Sequence, residues 1–185
     1  MSVLPPRGES WVLLPVAPQE GVPAGALIRF AKRLRDAPPS RPEDERLVYV
    51  GVFSMDLGER RFTTGAEFLE QFKAGWPLAG EMVTGHQRLV RFEAMLDDSR
   101  GATCARYRRL TELTGTPRFP RELFRLGTRG LFCVHARWPQ YAVNMFYSQL
   151  HHAGQGPLPL DAEADASLES LTFTHTRPVT LGKWP

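Results

Sequence analysis

Hydrophobic and polar positions alternate with two different periods along this chain, and the switch between them divides it. Ser10 to Val16 is a short apolar run and predicts a first strand. After the break at Gly21 to Gly25, Leu27, Ile28, Phe30, Ala31 and Leu34 recur at helical spacing, with Arg29, Lys32, Arg33 and Arg35 between them. That pattern predicts an amphipathic helix over 25–36, closed by the prolines at Pro38, Pro39 and Pro42. Leu47 to Met55 is β-branched and aromatic and predicts a buried strand. Thr64-Gly65-Ala66-Glu67 reads as a capping box opening a second helix over 64–74, with Phe68, Leu69 and Phe72 as its buried stripe.

From Gln87 onward the period becomes two. Val90, Phe92, Ala94 and Leu96 alternate with Arg91, Glu93 and Met95, and Asp97 to Gly101 turns the chain into a partner strand at Ala102 to Leu113. Proline and glycine mark Thr114 to Gly130 as a long loop. A second hairpin is expected with strands at Leu131 to Arg137 and Tyr141 to Gln149, turning at Trp138-Pro139-Gln140. A short helix from Asp161 to Ser170 and a last strand at Leu171 to Thr176 follow. Strands returning through hairpins favour an α+β fold, an antiparallel β-sheet with helices packed on it. Residues 10–176 form its single domain, between a flexible N-terminus (1–9) and a C-terminal tail (177–185).

Composition changes this picture little. A chain of 185 residues with 42% hydrophobic and 23% charged positions can bury one continuous core. No apolar run reaches the roughly 18 residues of a membrane span, and Met1 to Ser10 carries no export signal. The location is therefore cytoplasmic by default, and periplasmic if the natural chain begins further upstream. The net charge of +3 rests on arginine, since lysine occurs only at Lys32, Lys73 and Lys183. Arginines are densest between Arg100 and Arg137, interleaved with Tyr107, Phe119 and Phe124, which raises a weak arginine-based nucleic-acid binder as an alternative. Strand alternation argues against one basic stripe, because Arg106 and Arg108 face away from Tyr107 and Arg109. Nucleic acid is not the expected partner.

Few residues suggest chemistry. Cys104 and Cys133 lie on strands that would bring them within disulfide range if paired, and without a leader the default is two buried, reduced thiols. Cys133 and His135 share one face of a strand and supply the enzyme alternative, but about 7 Å along the strand separates them and no third group orients them. His151-His152 points its two rings apart. No catalytic residue, metal ligand or cofactor is assigned. The turn Arg137-Trp138-Pro139-Gln140-Tyr141 is different, because Trp, Tyr and Arg are enriched at binding hot spots. Either Trp138 folds back onto the sheet and extends the core, or Arg137, Trp138 and Tyr141 are the contact residues for a protein partner; that partner's identity and the oligomeric state are open.

The order of elements resembles that of the PsbP-like α/β sandwiches, the superfamily of the oxygen-evolving enhancer protein and the DcrB-type bacterial lipoproteins. The short helix running into Ser170-Leu171-Thr172-Phe173, the segment Gly130 to His135 and the segment Asn144 to Ser148 carry the resemblance, which covers residues 10–176. It implies a non-enzymatic accessory or binding domain.

Overall fold

The structure, a computed structural model, describes Pro6 and residues 10–14, 27–32, 34–35, 37–59, 61–75, 87–99, 102–135 and 138–173. The strands are β1 (Trp11–Leu13), β2 (Leu27–Lys32), β3 (Arg46–Asp56), β4 (Gln87–Asp97), β5 (Thr103–Thr114), β6 (Leu123–Val134) and β7 (Tyr141–His152). Among the described residues two α-helices accompany them, α1 (Gly65–Gly75) and α2 (Asp161–Glu169), with one 3-10 turn at Pro42–Asp44. The strands form one sheet in the order β1-β2-β3-β7-β6-β5-β4, and every neighbouring pair is antiparallel. Two meanders, β1 to β3 and β4 to β7, meet where β3 pairs with β7. The expected antiparallel sheet with packed helices is present.

Each helix covers a different face of this sheet. On one face Val48, Val50 and Val52 of β3, Leu131 of β6 and Met145 of β7 meet Ala164, Leu168 and Leu171 of α2 and its exit. On the other, Ala105 and Tyr107 of β5, Phe132 and Val134 of β6 and Ala142 of β7 pack with Phe68 and Phe72 of α1. The rings of Phe68, Phe72 and Phe132 stack at centroid distances of 5.1–6.2 Å. The α1 stripe was therefore legible in the sequence, and so was its start. The Glu67 amide donates to Thr64 Oγ1 at 3.1 Å, while the Glu67 carboxylate accepts from the Thr63 amide at 2.8 Å, one residue earlier than a symmetric box.

The helix expected over 25–36 is a correction. Leu27–Lys32 is strand β2, paired with β3 from Leu27↔Phe53 to Lys32↔Val48. The same apolar residues satisfy a period of two: Ile28 and Phe30 share the face of Val52 and Val50. No capping residue precedes the segment at Ala24-Gly25-Ala26, so ladder hydrogen bonds to a long central strand outweigh a short uncapped helical pattern. The long loop is a second correction. The turn occupies 115–122, with Gly115 at φ 85° and its amide bonded to Glu122 O, and β6 begins at Leu123. Gly127 and Gly130 are thus strand residues. At Gly130 an added Cβ would lie 2.3 Å from Tyr107 Cζ, so the glycine is there to admit that ring.

The turn at Trp138-Pro139-Gln140, the hairpin β4–β5 and α2 stand where expected. Of the last expected strand, Leu171 is buried and Thr172 makes an isolated bridge, while 174–176 lie outside the described residues. The tail 177–185 and, apart from Pro6, residues 1–9 also lie outside them. Among the described residues no helix is long and apolar enough to cross a membrane.

Candidate functional site

The β6–β7 hairpin holds its tip by backbone bonds from both sides. The His135 amide donates to Tyr141 O at 2.9 Å, and the Tyr141 amide donates to Trp138 O at 2.9 Å. The Leu57 amide, just past β3, donates to Gln140 O at 2.7 Å. Pro139 sets φ at the tip, so little backbone freedom remains there to be lost on binding.

Trp138 folds back over the tip without entering the core. Its ring lies tilted by 33° against His135 at 4.5 Å, its amide donates to His135 Nδ1 at 3.3 Å, and it stays half-buried. His135 also meets Phe173 in a T-shaped contact at 5.6 Å. Tyr141 is 38% exposed. Arg137 lies outside the described residues.

Beside the tip a cleft of about 430 Å³ opens at the end of the sheet. His135 and Pro139 line it, together with Phe62, Phe68 and the residues that open α1. Ala102, Thr103 and Asp98 close it from the β4–β5 turn. Apolar rings and a few polar groups meet here, a mixture common in binding clefts. Sequence reasoning singled out Trp138 and Tyr141, gave Phe62 no role, and read Thr64 and Gly65 as part of a helix start alone. That the β4–β5 turn, the β6–β7 turn and the start of α1 share one end of the sheet follows from the crossover of α1 to the far edge, which local patterns do not encode.

Cys104 and Cys133 face each other in the β5–β6 ladder and form a disulfide, with Cα atoms 4.0 Å apart. Both are fully buried, as expected; that they are reduced is corrected by the register, which sets the two side chains opposite each other on one face. The bond also leaves Cys133 without a thiol to offer His135.

The arginines are divided in the way alternation requires. Arg106 bonds to Asp97 and Glu169, Arg129 to Asp161 and Asp165, and Arg88 and Arg125 share Glu112, all on the α2 face. Partial burial opposes ionisation of Asp97, but the Ser99 hydroxyl and amide and the Arg106 guanidinium outweigh it and hold the carboxyl below its ordinary range. On the α1 face Arg109 Nε donates to Thr111 Oγ1 at 3.0 Å, the Tyr107 hydroxyl donates to Asn144 Oδ1 at 3.1 Å, and Thr128 pairs with Ser148. Burial raises the Tyr49 phenol, against a hydrogen bond to Ser148 and the charges of Arg29 and Arg109.

His151 and His152 take separate roles. His151 Nδ1 lies 3.0 Å from its neighbour's carbonyl, and His152 packs on Phe124 and approaches Glu122 at 3.5 Å. Among the described residues no group of three metal-ligating side chains converges. The chain matches no protein-family model and no curated protein.

Proposed function

We propose that this chain is an accessory domain of the PsbP-like α/β sandwich type that binds a partner protein at the β6–β7 hairpin tip. The observation that carries the reading is the pairing of a backbone-fixed aromatic tip with an open cleft. Trp138 and Tyr141 keep accessible surface, and His135 and Pro139 of the same tip line the cleft together with Phe62. A rigid tip presents aromatic area at low entropic cost, which is how a small number of residues can dominate an interface. A sheet covered by one helix on each face, with its strands tied by hairpins, also supports the superfamily resemblance at the level of architecture.

The rival readings draw less support. An enzyme built on Cys133 and His135 needs a thiolate, and the Cys133 sulfur is bonded to Cys104. A nucleic-acid surface needs arginines free to meet phosphates, whereas Arg88, Arg91, Arg106, Arg125 and Arg129 each have a carboxylate partner.

The test is affinity capture with the tagged full chain and its Trp138→Ala, Tyr141→Ala and Val12→Ala forms, the last as a surface control. A protein recovered stoichiometrically with the wild type and the control should bind about tenfold more weakly to the two tip variants. Equal recovery by all four, together with a lowered melting temperature for Trp138→Ala, makes Trp138 a structural residue and removes the site.

A further inference from the structure

The α2 face carries a second cleft, which shares no lining residue with the one beside the hairpin tip. Strand register sets out two neighbouring rows across β4, β5, β6 and β7. The first reads Glu93, Arg108, Arg129, Tyr147, and the second Arg91, Leu110, Gly127, Gln149. In the first row two arginines stand directly opposite each other across the β5–β6 ladder, an arrangement that costs stability unless anions offset it. Arg129 has them: Asp161 Oδ1 at 2.6 Å and Asp165 Oδ1 at 3.3 Å, both from α2. Glu93, opposite Arg108 on the other side, is taken by Arg91. Arg108 is exposed and forms no ion pair with a described residue.

The second row is hollow. Gly127 has no side chain, and a Cβ built there meets nothing within 4 Å, so close packing does not require the glycine. Above the gap α2 presents the small Ala164, and Pro157 forms a wall. A cleft of about 430 Å³ results, floored by Leu110 and Gly127 and bordered by Arg108. That size suits a small organic ligand.

We propose that this cleft binds a small monoanionic organic carboxylate. Arg108 takes the carboxylate through its planar fork of donors, and the apolar body lies over Leu110 and Gly127 against Ala164. Arg91 and Arg129 also line the cleft, but Glu93 and Asp161 neutralise them, so of these three arginines only Arg108 is left to meet an anion, and its single charge matches a monoanion. The site is independent of the hairpin tip and of the protein partner proposed there.

The experiment is a titration of the full chain with sodium hexanoate, and separately with inorganic phosphate, followed by amide and arginine Nε–H resonances. Hexanoate should move Leu110, Gly127 and Arg108 Nε–H saturably with a Kd of about 1 mM, fitting for so few atoms. Arg108→Gln should weaken it by about tenfold or more without lowering the melting temperature, since a repulsion with Arg129 is removed. Gly127→Val should do the same by filling the floor while leaving Arg108 in place. Absence of saturable shifts, undiminished binding by Arg108→Gln, or phosphate binding as well as hexanoate would each overturn the proposal.

Discussion

Tyr107 lies where the side chain of residue 130 would be, and Gly130 is glycine for that reason. Gly130→Ala places a Cβ 2.3 Å from the Tyr107 ring, whose hydroxyl is tied to Asn144, so the ring cannot swing aside freely. The substitution should cost about 1–3 kcal/mol in chemical denaturation, as overpacking does. Gly127→Ala, three residues away, meets nothing within 4 Å and should be neutral or stabilising by up to about 1 kcal/mol. Equal costs for the two would mean that the register is wrong.

Tyr147 supplies a titration. Burial, and then the Glu163 carboxylate beside its hydroxyl, hold the phenol well above its ordinary value. The folded state thus favours the neutral form, so its contribution is complete below the unfolded value of about 10 and is lost as pH rises beyond it. Melting temperatures measured across this range should fall with pH, and Tyr147→Phe should shallow the fall. A slope unchanged in Tyr147→Phe would place the phenol in water. At this scale the sequence showed which cysteines are buried but not that they are joined, because a bond depends on which residue of β6 lies opposite Cys104.

At the scale of elements, α1 and β2 show what local pattern can and cannot fix. The helix declares itself by Thr64 and Glu67 at its start and by Phe68 and Phe72 on its buried side, 1% and 6% exposed. Thr64→Ala should cost about 1 kcal/mol through the lost cap, and Phe72→Ala about 3–5 kcal/mol through the cavity it leaves between Phe68, Phe92, Tyr107 and Phe132. Urea unfolding of both variants checks the ratio; a loss below 1 kcal/mol for Phe72→Ala would lift α1 off the sheet. Leu27–Lys32 offers no such terminal signal, and its four apolar and two basic residues fit either period. What decides is β3 alongside it, a neighbour that a window of local sequence cannot see. The glycines of β6 misled in the opposite direction: they look like turn residues, and only the partner ring of Tyr107 explains one of them inside a strand.

For the whole molecule, the disulfide ties β5 to β6, and the passage from β3 to β4 sets the strand order. Cys104 and Cys133 are separated by 29 residues, a loop whose closure in the unfolded chain is worth about 3–4 kcal/mol in the chain-entropy treatment. Reduction should lower stability by that order while β3 and β7, joined elsewhere, retain their pairing. The crossover carries the chain to the far edge and brings Phe62, the α1 start, the β4–β5 turn and the β6–β7 tip to one end of the sheet. That convergence underlies the proposed binding role, and it is a property of topology that no single segment contains. The most direct measurement is hydrogen exchange of the full chain, alone and with the protein it captures. Slowed exchange should be confined to the amides of residues 62–65, 102–103, 134–135, 138 and 140–141. Protection that falls instead on β1 and β2, with the hairpin tip unchanged, would contradict the account.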